Sequence, residues 1–174
     1  MVYIALLRAV NVGGNNKLPM KSLAALCEAQ GCTKVQTFIQ SGNVIFRASA
    51  KIAAAFPRTL CSQIKDEFGF ETTVILRTAA ELRAIVEGKP DLDEQFLHVI
   101  FLSDEPNLTD VVKLNPVCVG AESFILRGRE IYMYLPNGAG RSKMATYAFD
   151  KVLRTKGSMR NWRTVLSLSA LAIE

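Results

Sequence analysis

The run Tyr3-Ile4-Ala5-Leu6-Leu7-Arg8-Ala9-Val10 constrains the fold of this chain more than any other stretch. Side chains of a strand point alternately to opposite faces, and here both alternations are apolar, so the segment must be covered on both sides. It is therefore predicted to be a central strand. Its carboxyl end opens into Asn11-Val12-Gly13-Gly14-Asn15-Asn16-Lys17, a loop of glycines, amides and a cation at a position where sheets often bind ligands. Arg8 is the one charge in the run, and it needs a carboxylate such as Glu122 or must emerge at the strand end.

Downstream, Met20, Leu23, Ala24 and Cys27 recur at helical spacing, with Pro19 suited to the first turn and Gly31 to the end. Residues 35–39 and 44–46 are β-branched and aromatic, which predicts a hairpin turning at Gln40-Ser41-Gly42-Asn43. Ile52, Phe56, Leu60, Ile64 and Phe68 predict a second helix that Pro57 should kink or restart. A strand over 71–77 follows, and Thr78 with Glu81 matches a capping box for a short helix. Strand, helix, strand, strand, helix, strand over residues 1–77 is the split βαβ, or ferredoxin-like, order.

Residues 78–95 are then a connecting helix and linker, and residues 96–174 a second lobe that begins in the same order. It has a strand over 96–102, a helix through Leu108, Val111 and Leu114, and a hairpin turning at Arg127-Gly128-Arg129. A further helix runs through Met144, Tyr147, Ala148 and Val152. The segment 158–162 is predicted to open a terminal helix whose stripe is Val165, Leu168, Leu171 and Ala172. The expected fold is α+β with two ferredoxin-like lobes. The second lobe reads as a degenerate copy, with a C-terminal helical extension where its last strand should be.

A chain of 174 residues with 49% hydrophobic content can bury a full core. Its net charge of +5 favours acidic partners such as nucleotides, nucleic acid or phosphorylated metabolites. The basic residues are scattered, which weighs against a dedicated nucleic-acid surface. The first residues read as a strand, so no secretory leader is expected, and no apolar run has the ~20 residues a membrane helix needs. Cys27, Cys32, Cys61 and Cys118 lack Cys-x-x-Cys spacing and predict reduced thiols in a cytosolic protein. With His98 as the only histidine, no metal site and no cofactor is expected.

Five motifs in order carry a family resemblance: Ala5-Leu6-Leu7-Arg8 with Asn11-Val12-Gly13-Gly14; residues 21–26; Gln40-Ser41-Gly42-Asn43; His98-Val99-Ile100-Phe101-Leu102; and Ser142-Lys143 with Arg160-Asn161-Trp162. In these the chain resembles, over essentially its whole length, the bacterial family catalogued as domain of unknown function 1697. The resemblance implies a small soluble protein pairing two ferredoxin-like lobes, with no established activity. Ala9 stands where the family commonly has glycine, Ser158 where it has threonine, and Arg163 where it has asparagine.

Candidate ligand-binding residues follow from residue type. Glycines at 13 and 14 let backbone amides approach an anion, with Arg8, Asn11 and Lys17 beside them. The loop lacks both the Walker and the dinucleotide fingerprints, and a plain glycine turn explains it equally well. Ser41 and Asn43 suit a hairpin turn and join the candidates only if that turn lies near the loop. Arg141, Ser142 and Lys143 precede a helix, where an anion is favoured, or Ser142 is simply an N-cap. Arg160 and Asn161 could hold a phosphate or carboxylate and Trp162 could stack on a base, or Trp162 anchors the last helix in the core. His98 alternates with Phe96 and Ile100 on a strand face and is expected to be structural.

The leading expectation is a soluble protein that binds a small anionic or nucleotide-like ligand between its lobes. RNA binding on a ferredoxin-like sheet is the second, although the aromatic RNA-recognition motif is absent. An enzyme with Ser41 or Ser142 as nucleophile and a ligand-free protein-interaction module complete the range.

Overall fold

A computed structural model describes residues 1–146 and 149–173 of the protein. In chain order they form β1 (Val2–Leu7), α1 (Met20–Ala29), β2 (Thr33–Phe38), β3 (Asn43–Arg47), α2 (Ala50–Phe68), β4 (Val74–Thr78) and α3 (Ala79–Glu87). Then come β5 (Leu97–Leu102), α4 (Leu108–Val111), β6 (Ser123–Arg127), β7 (Glu130–Tyr134), α5 (Lys143–Thr146), α6 (Phe149–Leu153), β8 (Gly157–Asn161) and α7 (Trp162–Leu171). The chain divides into two units, one comprising residues 1–84 and the chain from Ser167 onward, the other Ile85–Leu166.

The first unit contains a four-stranded sheet in the order β2-β3-β1-β4, with every neighbour antiparallel. β1 lies inside it and all six of its residues are buried, as its double apolar alternation requires. One face of the sheet packs Tyr3, Ala5, Leu7, Val44 and Phe46 against Leu23, Phe56, Leu60 and Ile64 of α1 and α2. The Phe46 and Phe56 rings lie 4.4 Å apart, centre to centre. The opposite face is buried as well, with Ile4, Leu6, Ile45 and Ile75 all below one tenth exposed and Arg77 among them.

Two local features differ from the sequence expectation. Pro57 neither breaks nor restarts α2, which is one helix of 19 residues. Its cost is the hydrogen bond that a proline cannot donate, and burial of Ala53, Phe56, Leu60 and Ile64 along one stripe outweighs it. In β2, Lys34 is left-handed at φ 49° and the register with β3 shifts between Thr33 and Gln36, a bulge in an edge strand.

In the second unit the sheet order is β6-β7-β5-β8, again antiparallel throughout. This is the same permutation as in the first unit. The expectation that a helix replaces the last strand is therefore wrong: β8 pairs with β5 from His98↔Asn161 to Leu102↔Gly157, and the helix starts only at Trp162. Gly157-Ser158-Met159-Arg160-Asn161 has no β-branched residue, and its strand conformation comes from the ladder it completes rather than from propensity. Of the stripe predicted for α4, Val111 and Leu114 are buried and Leu108 is 71% exposed. The helix predicted around 144–152 is represented by α5 and α6; Tyr147 and Ala148 lie outside the described residues.

Equivalent positions of the two units repeat the same contacts. Arg8 N donates to Thr73 O at 2.9 Å, and Ser103 N to Lys156 O at 2.8 Å. The threonine ahead of the last strand ties down the loop after the first, Thr72 Oγ1 to Arg8 O at 2.8 Å and Thr155 Oγ1 to Asp104 O at 3.3 Å. Arg77 and Arg160, each buried on its last strand, donate to the preceding carbonyl, Leu76 O and Met159 O, both at 2.7 Å. The next residue caps a helix in each case, Thr78 Oγ1 accepting from Glu81 N and Asn161 Oδ1 from Thr164 N. Thr78 and Glu81 complete the reciprocal box, Thr78 N donating to Glu81 Oε2 at 2.7 Å.

β8 leaves no room for a side chain at its first residue. A Cβ at Gly157 would lie 2.8 Å from Ile100 Cγ2 and 3.1 Å from Leu102 Cδ2. Gly157→Ala should therefore lower unfolding stability by roughly 1–3 kcal/mol, read as a reduced urea midpoint at unchanged slope.

Candidate functional site

Antiparallel pairing decides what meets at the end of β1. A strand's end lies beside the start of each antiparallel neighbour, so the segments entering β3 and β4 both reach the loop that leaves β1. Leu7 N donates to Gly42 O at 2.8 Å, and Thr73 and Thr72 hold both backbone groups of Arg8. The hairpin turn at 40–43 and the loop at 8–17, which the sequence alone did not bring together, are thus adjacent. Gly42 is required there: it is left-handed at φ 73°, and a Cβ would fall 2.8 Å from that of Leu7.

The loop itself is a small hairpin. Asn11 N donates to Asn16 O at 3.1 Å and Asn15 N to Val12 O at 3.0 Å, with Gly13 and Gly14 at the tip at φ 59° and 79°. Two left-handed residues in a two-residue turn are the I′ geometry, for which Gly-Gly is well suited. Ala9, Asn11 and Asn16 are left-handed too.

Asparagine side chains hold this backbone in place. Asn11 Nδ2 donates to Leu18 O at 2.9 Å and to Gln40 O at 2.8 Å, and Asn11 Oδ1 accepts from Leu18 N at 2.8 Å. Asn16 Nδ2 donates to Ala9 O at 2.9 Å. Asn43, fully buried, donates to Phe38 O and to Ser41 Oγ, both at 3.0 Å. Asn11, Ser41 and Asn43 therefore build the platform. Gly13, Gly14 and Lys17 are exposed on it, and Arg8 is half-exposed just beyond the strand. The Gly13 and Gly14 amides and the Lys17 ammonium have no partner among the described residues.

Thr72 and the main-chain carbonyl of Gln40 are members of this cluster that residue type did not single out. A main-chain carbonyl leaves no residue-type signal, whereas Asn16, within the candidate loop, acts through its side-chain amide. The place of Thr72 just before β4 could have indicated its contact, given the pairing.

In the second unit, Ser142 is buried and its Oγ accepts from Ala145 N at 3.2 Å, capping α5. Arg141 and Lys143 beside it are exposed, and Asn161 is exposed while capping α7. Arg160 is only 8% exposed; its Nη1 donates to Ser158 Oγ at 2.9 Å, and burial brings its guanidinium down to about 10. Trp162 is 1% exposed, with its ring centre 6.4 Å from that of Tyr132. Its ring fills the core and presents no face on which a base could stack. Among the described residues no cluster of three or more His, Cys, Asp or Glu could hold a metal ion.

Residues 1–132 match the family described as "Protein of unknown function (DUF1697)". The chain belongs to this family. The DUF1697 match includes the whole β1 loop and the 40–43 turn and ends within β7, so Ser142-Lys143 and Arg160-Asn161-Trp162 lie beyond it, a shorter reach than the motifs imply. A conserved bacterial protein from Streptococcus pneumoniae, SP0830, shares the fold, with a TM-score of 0.77 at 20% identity over 99% of this chain and 98% of that one. No curated protein matches this DUF1697 chain in sequence. Among its described residues, no helix is long and apolar enough to cross a membrane.

Removing the Asn11 amide should cost the loop its frame: Asn11→Ala should lower stability by roughly 1.5–3 kcal/mol. Ala9→Gly should instead raise it by about 0.5–1 kcal/mol, because relief of the left-handed alanine exceeds the added chain entropy of glycine. Thermal unfolding of both variants checks this pair. His98 provides a pH signature: burial lowers its pKa from the ordinary 6.5, against a weaker bond to Phe96 O. Below 6.5 the unfolded chain takes up the proton first, so stability should fall as pH drops from 6.5 to the lower folded value and then level off. In His98→Gln that component of the pH dependence should disappear from urea titrations.

Proposed function

We propose that this protein binds a small anionic, nucleotide-like ligand at the hairpin tip that follows β1. The observation that carries the reading is the pair of exposed, unbonded amides at Gly13 and Gly14, with Lys17 exposed at the base of the same hairpin and asparagine side chains holding the loop rigid. A connection from strand to helix does not need five left-handed residues. Their cost is of order 1–2 kcal/mol for each non-glycine residue, and strain of this kind collects where a loop must hold one shape for a partner. Arg8 adds a second cation at the root of the same loop.

We also read each unit as a ferredoxin-like lobe, since both sheets have the split βαβ strand order. RNA-binding lobes of that type display aromatic residues on the open sheet face. Here that face is buried in both sheets, at Ile4, Leu6 and Ile45 and at Val99, Phe101 and Tyr132, which favours the small ligand over RNA. The four free thiols support a reducing, cytosolic setting.

The test is thermal unfolding with inorganic phosphate and a panel of nucleoside mono-, di- and triphosphates. One class should raise the Tm by a few degrees at saturating concentration, and Lys17→Ala should abolish the shift while melting like the parent without ligand. Flat melting across the whole panel would sink the proposal.

A further inference from the structure

α1 ends in a Schellman cap in which both apolar contact positions are cysteines. Gly31, left-handed at φ 87°, donates to Glu28 O at 2.9 Å, and Cys32 N donates back to Cys27 O at 3.2 Å. In this motif the residue that accepts the outer bond and the residue that donates it bring their side chains together. Cys27 and Cys32 occupy those two places, and both side chains pack into the same core cluster. Both belong to the first unit's core, at 0% and 4% exposure, with exposed Gly31 and Thr33 on either side of Cys32.

We propose that Cys27 and Cys32 are a disulfide-forming pair, oxidised by hydroperoxides when the α1 cap opens and then clamping the α1–β2 corner. The closed cap protects them. Burial pushes the Cys27 thiol up to about 12 and the Cys32 thiol up to about 11, so little thiolate exists until the corner loosens. Cys32, nearer the surface, reacts first: its sulfur attacks the terminal peroxide oxygen, the O–O bond breaks, and the leaving alcohol or water carries off the thiol proton. The Cys27 sulfur then attacks the resulting sulfenic acid. The S–O bond breaks, the hydroxyl leaves with the Cys27 proton as water, and the S–S bond forms. Two thiols are oxidised and one peroxide is reduced.

Trypsin cuts after Lys21 and Lys34, which leaves both sulfurs in the single peptide 22–34. After hydrogen peroxide treatment of the reduced, folded full chain, that peptide should lose two hydrogens, and the oxidised protein should melt a few degrees higher than the reduced one. Cys32→Ser should show neither change. Gly31→Ala strains the left-handed cap position and should speed the cross-link roughly fivefold. The proposal is overturned if peptide 22–34 stays reduced while the half-buried Cys61 and Cys118 are oxidised. It is equally overturned if one cysteine of the peptide reaches sulfinic acid without a cross-link, if oxidation leaves the Tm unchanged or lower, or if Gly31→Ala does not speed the reaction.

Discussion

The pairing of β1 between β3 and β4 is the constraint from which the rest of the first unit follows. A strand buried along its whole length can satisfy its backbone only through ladders on both sides, and antiparallel ladders bring the entries to both neighbours to its carboxyl end. The loop at 8–17 is therefore held from two directions, by Gly42 and Gln40 from one neighbour and by Thr72 and Thr73 from the other. The second unit uses the same arrangement around β5, and the recurrence of the threonine clasp, the buried arginine and the helix cap shows one solution used twice. What differs is the excursion. After β1 the chain makes a ten-residue loop with a hairpin in it, whereas after β5 it turns soon into α4 from Asn107.

Much of the architecture was legible because its signals are local. The double apolar alternation, the capping box at Thr78 and Glu81, and the two hairpin turns each carry their own chemistry and are present, but the strand expected through Val10 stops at Leu7, because Arg8 leaves the ladder and Ala9 turns left-handed. β8 was not legible, since Gly157-Ser158-Met159-Arg160-Asn161 has no pattern of its own and the apolar stripe of α7 extends naturally back over it. Pro57 misled for the opposite reason: a strong local breaker sits in a helix whose buried stripe outweighs it.

The candidate site was legible in its residues and not in its geometry. Glycines, asparagines and Lys17 could be picked out by type, but the sequence does not distinguish an asparagine that meets a ligand from one that holds a loop. Asn11 and Asn43 are of the second kind, the first holding the carbonyls of Leu18 and Gln40 and the second closing its own turn through Phe38 O and Ser41 Oγ. Trp162 and Arg160, attractive as a stacking and gripping pair, share β8's problem: once the strand is in register, its alternation carries Arg160 to a buried face.

The irregularity at Lys34 bears on how the protein behaves among its own copies. A straight edge strand presents an evenly spaced row of donors and acceptors on which a strand from another molecule can template, the first step of sheet-driven aggregation. The left-handed lysine and the register slip in β2 put that row out of step and set a charge on it. The outer rim of the first sheet is thus a poor seed for intermolecular growth, at the cost of an imperfect ladder.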